Sequence, residues 1–132
     1  MTTRRARSEH GSVSIVAAAL MSIALVIAMG AADLARVLTC AARAQTAADA
    51  AALAAAQELA LRSEPDRSPT EIAAAFAARN DAILTACSCE AGGTEATVTV
   101  TVRVGALMLA PDDRVATARA RAVVQVPPDP AG

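Results

Sequence analysis

Residues 11–32, GSVSIVAAALMSIALVIAMGAA, carry no charge. A helix rises about 1.5 Å per residue, so a segment this long crosses a bilayer core of about 30 Å. No other stretch limits the fold as much, because an uncharged run of this length belongs in lipid as a helix. Arg4, Arg5 and Arg7 precede it. Arg-rich flanks stay on the cytoplasmic side, so everything after the span is expected outside the membrane. The segments are then a basic cytoplasmic leader at 1–11 and a transmembrane helix at 12–32. Small residues in the span (Ala17, Ala18, Ala19, Ser22, Ala24, Ala28, Gly30) favour close helix approach. Ala28-Met29-Gly30 also has the small-x-small form of a signal-peptidase site, which leaves open a cleaved secretory signal.

Residues 33–62 contain neither Pro nor Gly and are dominated by Ala and Leu, both strong helix formers. One helix is therefore expected from Val13 to Arg62, half in lipid and half packed on a domain. Its apolar side reads Leu34, Val37, Leu38, Ala41, Ala48, Ala52, Ala55 and Leu59; Arg36, Thr39, Arg43, Thr46 and Gln57 lie opposite. After a polar loop at 63–68, Ser68-Pro69-Thr70-Glu71 has the form of a capping box with Pro at the first helical position. It predicts a short helix to about Arg79, burying Ile72, Ala75, Phe76 and Ala78.

The last third changes period. Residues 83–89 read as a short strand, Gly92-Gly93 as a turn, and 97–104 alternate, with Val98, Val100, Val102 and Val104 on one face. Thr97, Thr99, Thr101 and Arg103 face the other way. Residues 105–113 connect through an apolar Leu107-Met108-Leu109 patch. Alternation resumes at 114–126, with Ala116, Ala118, Ala120, Ala122, Val124 and Val126 inward. The proline-rich tail, 127–132, ends the sheet because proline cannot donate to a ladder. The fold class is α+β: a long N-terminal transmembrane helix running into an extracytoplasmic domain at 33–126. That domain has a short second helix and an antiparallel sheet of about three strands. The small strand alanines suit close approach of the alanine run, so Ala47, Ala48, Ala51, Ala52, Leu53 and Ala55 are the candidate helix-packing residues, on the sheet or in assembly.

Composition excludes several function classes. A net charge of −1 supplies no field for nucleic acid, and Phe76 is the sole aromatic residue, so no stacking platform exists. No Gly-rich phosphate loop, carboxylate pair or nucleophile triad is visible, so neither an enzyme nor a cofactor is expected. The single His, His10, precedes the span, whereas Cys40, Cys87 and Cys89 follow it. Structural zinc takes about four N or S ligands, so no metal site is expected. In an oxidising compartment a disulfide from Cys40 to Cys87 or Cys89 would tie the long helix to the sheet and leave one thiol over. Arg119 and Arg121, with Arg103, read as a solvated sheet face.

The leader, Gly11, the uncharged span ending at Asp33, and the string Arg-Ala-Gln-Thr-Ala-Ala-Asp-Ala-Ala-Ala-Leu-Ala-Ala-Ala at 43–56 together resemble TadE/TadG-like proteins. These are pseudopilin-type components of the Tad (Flp, type IVc pilus) machinery. The shorter actinobacterial TadE-like branch is similar over more of the chain, about 4–124, including the segment ending at Cys87 and the Val-rich hairpin. The resemblance implies prepilin-peptidase cleavage between Gly11 and Ser12. It also favours Cys87 as the partner of Cys40. Many family members carry Glu at the fifth mature position, where this chain has Val16, which points to a minor, priming or anchoring role.

The expected function is thus a pilin-like accessory subunit, a minor pseudopilin, of a Tad-type pilus or secretion apparatus. It would be a single-pass protein of the cell membrane with a cytoplasmic N-terminus, acting by helix packing. Its partners would be the membrane, other pilin-like subunits, Tad inner-membrane proteins and prepilin peptidase, with no nucleic acid. The alternatives are an exported soluble binding protein released by signal peptidase and a static single-pass envelope anchor.

Overall fold

The computed structural model describes residues 10–61 and 68–125. The basic leader with Arg4, Arg5 and Arg7, Arg62 and residues 63–67 of the loop, Val126 and the 127–132 tail lie outside the described residues. Helix α1 runs unbroken over His10–Leu61, and α2 covers Pro69–Arg79. Strands β1 (Ile83–Ser88), β2 (Glu95–Gly105) and β3 (Arg114–Val123) follow. At about 1.5 Å per residue α1 is about 78 Å long, far longer than a domain of this size needs for its core. The α+β class, the second helix and the antiparallel sheet of three strands agree with the sequence reading.

The sheet has the order β1-β2-β3 with both pairs antiparallel. Its period-2 pattern sorts the faces: Val98 and Val100 are fully buried, Val102 and Val104 nearly so, and Ala116, Ala118 and Ala122 pack at the core edge. The opposite face carries Thr97, Thr99, Arg119 and Arg121 in register pairs, and Arg121 forms a salt bridge with Glu95. Glu90–Gly93 closes a turn through a Gly93 N–H···O Glu90 bond of 2.9 Å. Gly92 sits at its third position with φ +86°, which only glycine adopts cheaply.

One half of α1 lies across β2 and β3, while α2 fills the angle between α1 and β1. Ala44, Ala47, Ala48, Ala51, Ala52, Ala55, Ala56 and Leu59 of α1 meet Ala73 and Ala77 of α2 and the valines of β2 in one core. With methyl groups on the helix side the layers come close, and most of the packing volume comes from the valines. The valine-on-alanine arrangement is the one that the strand alternation and the alanine run predict.

Two helix faces differ from the sequence reading. On α1, Leu34, Leu38 and Ala41 point out to the exterior, and the inward line is Asp33, Val37, Cys40 and Ala44. The end of β2 and the loop after it press on that side, and they accept short side chains in preference to leucines. On α2, Ala73 and Ala77 are buried, Ile72 and Phe76 half-buried, and Ala75 and Ala78 exposed. Alanines four apart let α2 lie close against alanine-lined α1. The Ser68 side chain makes no cap bond; its carbonyl accepts from Glu71 and Ile72 N–H at 3.0 and 3.2 Å. The C-terminus of α2 is a Schellman closure, with Asp81 at φ 56° and N–H bonds from Asp81 to Ala78 and from Ala82 to Ala77.

Candidate assembly surface and the helix–loop clasp

The apolar N-terminal half of α1 presents its described side chains outward, apart from Met29 and Gly30. Val13, Ile15, Val16, Leu20, Met21, Ile23, Leu25, Val26 and Ile27 are all exposed, and the most apolar window has none of its residues buried in the fold. This surface suits lipid or another helix and nothing within the chain. Ser22 adds no unmet polar group, because its hydroxyl donates to Ala18 O at 2.9 Å. Leu34 and Leu38 carry the apolar surface past the span, the Gln45–Asp49 hydrogen bond (3.0 Å) interrupts it, and Leu53 resumes it.

The expected packing residues therefore divide. Ala47, Ala48, Ala51, Ala52 and Ala55 are buried in the domain's own core, so they face no other subunit. Leu53, expected to pack with them, is 56 % exposed on the outer side. It stands 100° or more around the helix from the buried stripe, as helical geometry requires of a residue two from Ala51 and Ala55. Gly11 and Ser12 lie in the first turns of α1.

The span ends at a clasp that sequence reasoning did not foresee. The Asp33 carboxylate, 75 residues away in sequence, accepts the backbone N–H of Met108 through Oδ1 and of Leu109 through Oδ2, both at 2.9 Å. One turn on, Arg36 Nη1 donates to Ala106 O at 3.3 Å. These bonds draw the 105–113 connection against α1, and Met29 and Gly30 become half-buried where residues 13–28, 31 and 32 are exposed. A Cβ on Gly30 would stand 3.5 Å from the Leu109 side chain. The two N–H donors, Leu109 first, hold the Asp33 carboxyl below its ordinary range; desolvation opposes them and the Arg36 charge assists. The signals in the sequence were the first charge after the span and three large apolar residues in a loop. Neither says that the two meet.

The cysteines correct another expectation. Cys87 is joined to Cys89, their Cα atoms 5.5 Å apart, and Cys40 is a free thiol. A Cys40–Cys87 bridge does not form because of axial register. Cys40 Sγ lies 3.8 Å from Arg103 O, whereas Cys87 pairs with Val98. Five residues of strand separate those levels by about 17 Å, well beyond the roughly 7 Å limit for bridged Cα atoms. Among the described residues no three His, Cys, Asp or Glu side chains gather as a metal-binding group. Arg121 holds the Glu95 carboxyl below its ordinary value, with help from the Thr97 hydroxyl and against desolvation, and the same pairing raises Arg121.

Comparison with known proteins finds similarity in part of α1. No curated protein and no solved structure matches the chain. A family model does match over residues 11–58, just over a third of the chain, and its description is Flp pilus-assembly TadE/G-like. The matched stretch falls wholly inside α1 and stops three residues before its end, while α2 and the sheet lie beyond it. The long helix, from its lipid-suited half through the alanine run, is therefore similar to the TadE/G-like region of Flp pilus-assembly proteins, and it fits a single-pass anchor in such a system.

Proposed function

We propose that the chain is a pilin-like accessory subunit, a minor pseudopilin, of a Tad/Flp pilus or secretion apparatus, and that it works by helix packing without catalysis. The observation that carries this reading is the single helix α1. Its N-terminal half is apolar and largely exposed, and its C-terminal half is the spine of the domain core. A pull on the span is transmitted to the domain without a hinge, as a subunit moved between membrane and filament requires. The N-terminus is cytoplasmic, on the strength of Arg4, Arg5 and Arg7, and the domain is extracytoplasmic.

Prepilin peptidase cuts between Gly11 and Ser12 in this reading, leaving an uncharged helix that can leave lipid for the company of other helices. Exchanging lipid contacts for helix contacts costs little in hydrophobic terms, and small residues such as Ala17, Ala24 and Ala28 let partners approach closely. The contact surface is the span together with Leu34, Leu38 and Leu53, since the alanines of the core are already occupied. Val16 stands where many relatives carry the register-setting Glu, in keeping with a minor or priming position.

The test is the N-terminus of the mature protein, read by mass spectrometry of membrane and culture-fluid fractions. A start at Ser12 in membranes supports the subunit reading. A start near Ala31 in the fluid replaces it with a secreted binding protein, and an intact N-terminus confined to membranes replaces it with a static anchor.

A further inference from the structure

We infer that the 105–113 loop is a second membrane contact: Met108 and Leu109 insert into the outer edge of the same bilayer that α1 spans. The inference rests on the single-pass reading of α1. Three observations support it.

The first is height. Asp33 is the first charge after the span, and it holds the loop by two hydrogen bonds. Leu109 reaches back from there to the level of Gly30, inside the uncharged segment. At about 1.5 Å per residue, that is about 4–5 Å below the clasp, at the shallow end of the roughly 5–10 Å to which interfacial apolar groups sink.

The second is exposure. Met108 is 66 % exposed and Leu109 56 %, beside a helix whose apolar side chains are equally bare. The domain core takes neither residue.

The third is backbone satisfaction. Irregular chain is costly in lipid because its N–H groups find no water. Here Leu107 N–H donates to Ala110 O at 3.0 Å, and the next two donate to Asp33. Three consecutive loop donors are thus paired internally, and Ala106 O accepts from Arg36. The loop has an apolar tip with its donors satisfied, and its charged residues, Asp112 and Asp113, come only after Pro111.

A helix held in lipid at one point spins and tilts freely about its axis. A helix with a side wedge has a fixed face, so the clasp sets which side of α1 a neighbouring helix can reach. Lipid is favoured over a second copy of the chain because the tip continues the span's own lipid-facing surface.

The test uses the full chain in liposomes, with Cys40→Ser and a single environment-sensitive fluorophore at Leu25→Cys, Met108→Cys or Thr94→Cys. Nitroxide lipids labelled at the headgroup or deep in the acyl chain serve as quenchers. The expected result is deep quenching at 25, shallow quenching with a blue-shifted emission at 108, and neither at 94, which lies beyond the far end of the strands. Adding Asp33→Asn is expected to lose most of the quenching at 108 and none at 25. Quenching at 25 with water-like emission at 108 overturns the loop inference and leaves the span standing. Absence of quenching at 25 overturns the span reading and the inference with it. Copy-to-copy crosslinking through position 108 without lipid quenching puts a second chain on the tip and overturns the lipid assignment. Unchanged quenching at 108 in Asp33→Asn overturns the clasp as its cause.

Discussion

Val98→Ala and Val115→Ala make the same chemical change in the same sheet and should have very different consequences. Val98 is fully buried in β2, under the alanine stripe of α1, whereas Val115 is 61 % exposed near the start of β3. Each substitution removes two methylene equivalents. At Val98 the lost transfer free energy is about 1.6 kcal/mol at about 0.8 kcal/mol per group. A cavity remains because the neighbours are methyl groups on a rigid helix and cannot swing into the gap. With that contribution the cost reaches about 2–3 kcal/mol. That is a sizeable part of the roughly 5–15 kcal/mol that holds a domain folded. At Val115 water already covers the site, and the change stays within about 0.5 kcal/mol. Native-state hydrogen exchange of the protein in nanodiscs, followed by mass spectrometry of peptides from β2, measures both. The most protected amides should exchange about 30- to 150-fold faster in Val98→Ala, at about tenfold per 1.4 kcal/mol, and about twofold faster at most in Val115→Ala. Equal effects of the two variants would refute the packing of α1 on the valine face.

The remaining predictions concern the cysteines and the clasp. Maleimide labelling of unfolded but unreduced protein should modify Cys40 alone, and labelling after reduction should modify all three cysteines; three labels before reduction would remove the Cys87–Cys89 bond. Because the folded Asp33 carboxyl titrates below its ordinary value near 3.8, the clasp is fully present above that pH and is lost as pH falls through the lower folded value. A spin label at Met108→Cys should gain mobility only below about pH 4, and gain on raising the pH would reverse the assignment. Gly30→Ala should be tolerated, since its Cβ meets Leu109 at an ordinary 3.5 Å, and helix propensity improves by up to about 1 kcal/mol. Faster exchange around residue 30 would contradict that geometry. Leu53→Lys should leave the domain's thermal midpoint unchanged, while Ala51→Lys should unfold it by placing an unpaired charge at a fully buried site.

What the sequence determined by itself was everything written in local periods. An uncharged run of bilayer length, an alanine stretch without Pro or Gly, and strict alternation in β2 and β3 each state a conformation within one turn or one pleat. The apolar helical segment, the continuous α1, the strand faces and the valine-on-alanine core were therefore readable in order. So was the similarity to TadE/G-like proteins, expected over about 4–124 and matched by the family model over 11–58, within one helix. The tertiary structure alone decided how distant elements align along their axes. Which side of α1 at residues 33–41 turns inward, and which Cys can reach which, depends on where β2 stops along the helix. That same alignment brings Met108 and Leu109 to Asp33 across 75 and 76 residues of chain. A shift of one helical turn, about 5.4 Å, would break the clasp while leaving every local pattern intact. Axial register is a sum over the whole interface, and no short segment of sequence carries it.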